Sequence, residues 1–108
     1  MPDFNSREYI PAGIRPPHGA PPAWGRLSRM DPSGCELITR FELKEGSGAA
    51  LDFDLGDEVF TEIMTRVRSR RRDAEGYFIC RLSFTNELQR KNLALTLARL
   101  QGLQGDVV

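Results

Sequence analysis

The hydrophobic pattern is clearest over residues 59–84, where it has a period of two. Alternating residues of this kind predict a half-buried antiparallel strand over 59–72. The inward face would carry Val59, Thr61, Ile63, Thr65, Val67 and Ser69. Residues 73–76 end in glycine and predict a hairpin loop, and apolar residues alternate again over 77–84. The sequence therefore predicts a long β-hairpin.

Shorter strands are predicted before the hairpin, over residues 24–30, 35–39 and 50–55. The Asp-Pro-Ser-Gly segment at 31–34 suits a tight turn, because proline fits its second position and glycine its end. All seven prolines lie within the first 32 residues. This distribution predicts that residues 1–23 form an extended N-terminal arm.

After Phe84 the pattern takes a helical period. Asn86 and Gln89 have the spacing of a capping box, and Gly102 is a candidate helix end. The apolar face would carry Leu88, Leu93, Leu95, Leu97 and Leu100. We predict a helix over about 86–101 that covers the open end of a barrel. The expected fold is mainly β, a small antiparallel six-stranded barrel of the split or Greek-key-like type with a C-terminal α-helix. It would span 24–104, with 105–108 as a tail.

Composition narrows the class of protein. The chain has 108 residues, 40% hydrophobic and 28% charged, which fits one globular domain. No apolar run is long enough for a membrane span or a signal peptide, so we expect a cytoplasmic protein. Two cysteines and one histidine give neither a disulfide framework nor a metal site. Phosphate-binding, nucleophile-elbow and dinucleotide motifs are missing, so the expectation is a binding module without a cofactor, not an enzyme.

An arginine run is the first candidate for chemistry. Fifteen basic residues balance fifteen acidic ones, so the net charge does not favour a polyanionic partner. Strict alternation would nevertheless place Arg66, Arg68, Arg70 and Arg72 on one strand face, with Arg71 beside them. Such a face could bind single-stranded nucleic acid, but nucleic-acid sheets interleave aromatic residues, and only Phe60 shares this face. We therefore favour a solvated or partner-facing edge.

The strand, turn and strand at 25–37, the hairpin return at 76–84 and the helix at 86–101 together resemble the PilZ family. PilZ domains are small β-barrels of bacterial cyclic di-GMP signalling. Their pattern has an RxxxR arm, a [D/N]xSxxG motif at the turn after an early strand, a long hairpin and a closing helix. The resemblance covers residues 7–101, and it implies a barrel fold and a role in cyclic di-GMP signalling, with cyclic di-GMP as a possible ligand.

The ligand motifs differ from the family pattern. In an ungapped alignment Gly34 matches the motif glycine, Arg29 stands at the acid or amide position, and Asp31 stands at the serine position. A shifted alignment keeps Asp31 and Ser33 as the acid and the serine, but puts glutamate at the glycine position. In the arm, Arg7 matches the first arginine and proline replaces the second. If binding is retained, the resemblance implies a site made of Arg7, Arg29, Asp31, Ser33 and Gly34.

Three hypotheses follow. The first is a stand-alone PilZ-like adaptor that binds a protein of a type IV pilus, flagellar or cyclic di-GMP pathway. The second is a cyclic di-GMP receptor that uses a variant arginine site. The third is a small β-barrel that binds single-stranded nucleic acid along residues 66–72.

Overall fold

The computed structural model describes residues 9–105 of the chain. These residues form a short 3-10 turn at Pro17–Gly19, six strands and one helix. The strands are β1 (Ile10–Arg15), β2 (Ala23–Asp31), β3 (Gly34–Thr39), β4 (Gly48–Leu55), β5 (Glu58–Arg72) and β6 (Phe78–Phe84), and the helix is α1 (Glu87–Gly105). The prediction of a mainly β chain that ends in a helix is confirmed.

The strands form a closed antiparallel barrel in the order β1-β2-β3-β6-β5-β4. Two three-stranded meanders, β1–β3 and β4–β6, are joined by residues 40–47 and close through the β1–β4 and β3–β6 pairs. Closure pairs both sides of every strand and leaves no exposed sheet edge among the described residues. The predicted six-stranded barrel is confirmed.

The structure differs from the sequence prediction at the N-terminal arm. Residues 10–15 form β1, which pairs with β2 on one side and β4 on the other, and Ala12 and Ile14 are fully buried. Pro11 lies in this strand opposite Arg26 of β2, one residue before the ladder to β4 begins at Ala12, at the end of the strand where a proline is best tolerated. The barrel therefore begins before residue 24. Residues 1–8 of the predicted arm lie outside the described part of the chain.

The helix covers one end of the barrel. Leu93 and Leu97 join the core, and Leu43 from the 40–47 connection is buried in it as well. The core consists of Ala12, Ile14, Leu27, Met30, Cys35, Leu37, Leu43, Ala49, Leu51, Phe53, Leu55, Phe60, Ile63, Val67, Cys80, Leu82, Phe84, Leu93 and Leu97. The helix runs to Gly105, so Gly102 does not end it as predicted. A glycine inside a helix costs only about 1 kcal/mol, which flanking residues that favour the helix can offset.

Asn86 caps the helix as predicted, but the side chain of Gln89 does not complete the capping box. Asn86 Oδ1 accepts a hydrogen bond from the Gln89 backbone N–H at 3.0 Å. The Gln89 amide bonds β5 instead of reaching back to the cap: Oε1 accepts from the N–H of Met64 and Nε2 donates to the carbonyl of Glu62. Gln89 thus fastens the helix to β5.

Two interruptions in β5 change which residues face the core. The pairing with β4 shifts near Glu62, whose φ of 53° is unusual for a residue with a side chain, and Asp52 Oδ1 accepts from its N–H. Phe60 is consequently buried, whereas Val59 is 70% exposed. The strict alternation predicted for this strand is therefore wrong at its start.

The second interruption divides the arginine run. Pairing between β5 and β6 shifts between Val67 and Ser69, which leaves Arg68 as the extra residue. Beyond this bulge, Arg72 pairs with Phe78 and its guanidinium lies over the Phe78 ring. The side chains of Arg72 and Phe78 therefore lie on the opposite face of the sheet from Arg68. A bulge reverses the side-chain alternation of the strand that carries it. The prediction that four alternating arginines share one face is therefore wrong.

Candidate functional site

Four of the predicted site residues meet at the β2–β3 turn. Arg29, Asp31, Ser33 and Gly34 line a cavity of about 150 Å³. The remaining lining residues come from β3, β5 and β6: Cys35, Glu36, Arg68, Arg81, Leu82 and Ser83. Arg7, the fifth predicted residue, lies outside the described part of the chain.

Asp31 holds the turn in its conformation. Its Oδ1 accepts hydrogen bonds from the Ser33 N–H at 2.8 Å, the Ser33 hydroxyl at 2.6 Å and the Gly34 N–H at 3.1 Å. This is the side-chain turn that aspartate commonly makes with the backbone that follows it. Partial burial by itself raises the pKa of Asp31, but the bonds from Ser33 and Gly34 and the charge of Arg81 lower the pKa below its ordinary value. One carboxylate oxygen is therefore committed to the turn.

Gly34 is required by close packing against β6. A Cβ built on this residue would overlap the carbonyl oxygen of Leu82. Its N–H also donates to the carboxylate of Asp31, so the residue belongs both to the turn and to the β3–β6 ladder. Close packing against β6 thus explains the glycine at position 34 in this chain, whether or not a ligand binds at the turn.

Arg68 and Arg81 also line this cavity, although the sequence assigned Arg68 to the arginine run and did not single out Arg81. Arg68 Nε donates to the Ser83 hydroxyl at 2.7 Å, which orients the guanidinium beside the cavity. Arg81 pairs in register with Glu36, whose Oε1 accepts a hydrogen bond from Ser28. Both arginines are far from the turn in the sequence. Only the strand register of the hairpin, including its bulge, brings them to the turn.

The cavity holds three arginines and two carboxylates, so it can take an anionic group. Arg29, Arg68 and Arg81 supply planar donors that suit phosphate or carboxylate oxygens, opposed by Asp31 and Glu36. Cys35 contributes no reactive thiol, because burial raises the pKa of this thiol far above its ordinary value. Residues 9–105 contain no cluster of three or more histidine, cysteine or acidic side chains that could hold a metal ion.

Fold and site together define a small closed barrel with a helix over one end and an arginine-lined cavity at its β2–β3 turn. The sequence matches no family model and no curated protein at a significant level. Solved structures do match. The PilZ domain with c-di-GMP of YcgR from Escherichia coli superposes with a TM-score of 0.65 and 17% identity, over 98% of this chain and 94% of that one.

A second solved structure, YcgR from Escherichia coli in complex with c-di-GMP, has a TM-score of 0.63 and 18% identity. That match covers 95% of this chain and 50% of the other, so the chain spans about half the length of YcgR. The chain therefore has the PilZ-domain fold. Within residues 9–105 no helix is both long enough and apolar enough to cross a bilayer.

Replacement of Asp31 tests the role of the turn. Asp31→Ala removes the acceptor of three hydrogen bonds, and we expect the free energy of unfolding to fall by about 1–2 kcal/mol at neutral pH. Asp31→Asn keeps an oxygen in the same position, so most of that stability should remain. Urea unfolding of both variants measures the difference. An equal loss in the two variants would contradict the assignment.

The same carboxylate gives a pH dependence with a defined sign. The native pKa of Asp31 lies below its ordinary value, so its contribution is fully present above the unfolded pKa of about 3.9. The contribution is lost as the pH falls through the native pKa. Stability curves from pH 5 downward should therefore decline less steeply in Asp31→Asn than in the wild type.

Proposed function

We propose that the chain is a PilZ-type module of bacterial cyclic di-GMP signalling, and that it acts in the cytoplasm as a non-enzymatic adaptor. Its partner would be a protein of a pilus, flagellar or related motility pathway. The carrying observation is the PilZ-domain fold combined with an altered β2–β3 turn, where Arg29 stands at the acid position and Asp31 is committed to its own turn.

The chemistry of cyclic di-GMP explains why this turn supports an adaptor. The ligand presents two phosphates and two guanines. Arginines can fork onto guanine or phosphate oxygens, but guanine N–H groups need an acceptor such as a carboxylate. Arg29 cannot accept a hydrogen bond, and the Asp31 carboxylate would repel a nearby phosphate. The acceptor that the family motif provides at position 29 is therefore missing, and the carboxylates that remain beside the cavity, those of Asp31 and Glu36, would repel the ligand phosphates.

Exposed apolar side chains support an interaction through protein surfaces. Trp24 is 74% exposed, Leu95 71% and Val59 70%. Val59 and Leu95 line one groove between β5 and α1, whose polar walls include Gln89 and Asn92. Large apolar residues that lie together on a surface commonly mark protein contacts.

The adaptor proposal is tested with the purified chain as bait in extract from its source cells, with and without excess cyclic di-GMP. We expect specific capture of a motility or cyclic di-GMP pathway protein, with equal yield in the two conditions. Capture that appears only with the nucleotide would contradict the adaptor and favour a receptor. Failure to enrich any such protein over an unrelated barrel of similar charge would also contradict the proposal.

A cyclic di-GMP receptor is the second candidate, and one observation favours it. Arg68 and Arg81 approach the cavity beside Arg29 and could pair with ligand phosphates in place of the missing arm arginine. Direct titration with the nucleotide separates this candidate from the adaptor. Single-stranded nucleic acid is a partner of a different class and is tested below.

A further inference from the structure

A second group of arginines lies away from the β2–β3 turn, around the first residues of β6. The Arg26 guanidinium lies 4.8 Å from the ring centre of Tyr9 and 5.5 Å from that of Tyr77. Arg40, which follows β3, lies 4.5 Å from the ring centre of Tyr77. β3 begins at Gly34, next to the Asp31 turn, and ends at Thr39, next to Arg40. The length of that strand therefore separates this group of arginines from the Asp31 turn.

Phe78 extends the group towards the end of β5. The guanidinium groups of Arg70 and Arg72 each lie 5.4 Å from its ring centre. An open depression of about 620 Å³ is lined by Arg40, Glu42, Arg70, Arg71, Arg72 and Phe78. We name the set Tyr9, Arg26, Arg40, Arg70, Arg71, Arg72, Tyr77 and Phe78 the arginine–aromatic surface. Three strands, β2, β5 and β6, and residues next to strand ends thus bring five arginines and three rings together.

Positive charge exceeds negative charge on this surface, although the whole chain is neutral. Glu42 is the single carboxylate that lines the depression, and it accepts a hydrogen bond from Arg70 at 2.8 Å. Of the two acids in the nearby hairpin loop, Asp73 is occupied, since its Oδ1 accepts from the N–H groups of Glu75 and Tyr77. The guanidinium groups of Arg26, Arg40 and Arg72 lie over rings, and Arg40 is also hydrogen bonded to the Tyr77 side chain.

Ring contacts prepare these guanidinium groups for binding. A guanidinium that lies on a ring keeps its N–H edges free, and those edges match the two oxygens of a carboxylate. Because the ring already restricts the side chain, less conformational entropy is lost when a ligand binds. Exposed ion pairs contribute little to stability, so the fold itself does not require this concentration of arginine.

We propose that the arginine–aromatic surface binds an acidic segment of a partner protein through its glutamate and aspartate side chains. This inference rests on the proposed adaptor function and identifies the chemistry of the partner. Trp24, 74% exposed and two residues from Arg26 on β2, adds an apolar anchor. Tryptophan, tyrosine and arginine are the residues that dominate the binding energy of protein interfaces.

A protein segment fits this surface better than single-stranded nucleic acid does. Base stacking needs open ring faces, but Tyr77 and Phe78 each already carry two guanidinium groups. The Tyr77 side chain, together with the charges of Asp73 and Glu75 in the adjoining hairpin loop, raises the pKa of Arg40. Acids at the rim would repel a continuous phosphate backbone, whereas separate carboxylates can be placed between them.

The test uses the purified full chain and a fluorescent decapeptide of alternating glutamate and alanine, with anisotropy at low ionic strength as the readout. A matched peptide has glutamine for glutamate, and a ten-nucleotide oligothymidylate is the third probe. We expect the glutamate peptide to bind at least about tenfold more tightly than either other probe, and to weaken as salt is added. The variant Arg40→Glu with Arg72→Glu should weaken it at least about tenfold more.

Two further variants keep the result interpretable. Arg71→Glu changes an exposed charge that lines the same depression, and Arg71 is not one of the arginines that lie over Phe78, so this variant should weaken binding even if the double variant folds poorly. Arg90→Glu, on the exposed side of α1, is the matched control and should bind as the wild type does. Equal binding of the glutamine peptide, or equal weakening by Arg90→Glu, would overturn the proposal. Tighter binding of oligothymidylate would show a nucleic-acid site instead.

Failure of this inference can be distinguished from failure of the adaptor proposal. If the double variant still captures the same partner protein from extract, the adaptor function stands and the arginine–aromatic surface is not its docking site.

Discussion

Leu97→Ala is expected to lower the free energy of unfolding by about 2–5 kcal/mol, the range for a leucine removed from a packed core. Leu97 is 4% exposed and joins the core with Leu93, where the helix covers the end of the barrel. Truncation would leave a cavity that the closed strands around it cannot easily fill. Urea unfolding followed by circular dichroism measures the loss.

Leu95→Ala is the matched control on the same helix. Leu95 is 71% exposed, so the same truncation should change the free energy of unfolding by no more than about 0.5 kcal/mol. A loss below about 0.5 kcal/mol in Leu97→Ala, or similar losses in the two variants, would mean that the helix does not cover the core as described.

Cyclic di-GMP affinity is the second large expected effect. We expect cyclic di-GMP to bind about 10²–10⁴-fold more weakly than it would to a site with the full motif. A bidentate contact to a base contributes about 1–3 kcal/mol, and about 1.4 kcal/mol changes the dissociation constant tenfold. The expectation rests on three positions that differ from the family pattern: Pro11 in place of an arginine, Arg29 in place of an acid and Asp31 in place of a serine. Arg29 can recover part of it by pairing with a phosphate, but it cannot accept guanine hydrogens.

Long elements with a steady period could be predicted from the sequence. The β5–β6 hairpin and the helix capped by Asn86 both lie close to their predicted positions, since the hydrophobic period and the cap spacing are local signals. The turn at Asp31 was likewise predictable, because aspartate, proline and glycine each have a defined role in a tight reversal.

The strand bulges could not be predicted, because each depends on a neighbouring strand. Asp52 and Gln89 both bond the backbone beside Glu62, and neither is near it in the sequence. The Arg68 bulge has the same non-local origin: it turns that side chain towards Ser83 and the cavity while Arg70 and Arg72 turn towards Phe78. The aromatic partner of Arg70 and Arg72 was therefore missed, because Phe78 lies on β6, the strand next to β5 in the barrel.

β1 shows how composition can mislead. Its proline suggested an arm, yet two-sided pairing from Ala12 onward places Ala12 and Ile14 in the core. Such pairing is invisible in a six-residue segment taken alone, because neither period nor length distinguishes it from an extended linker.

Isothermal titration of the wild-type chain with cyclic di-GMP tests the central claim most directly. If the chain is an adaptor with an altered turn, we expect no binding heat at low micromolar concentrations of the nucleotide. Thermal unfolding of the same sample shows that the protein is folded. Arg29→Ala, Arg68→Ala and the control Arg90→Ala should then be indistinguishable from the wild type. A one-to-one or two-to-one signal of low-micromolar affinity, lost in Arg29→Ala or Arg68→Ala and kept in Arg90→Ala, would contradict the claim and establish a variant receptor site.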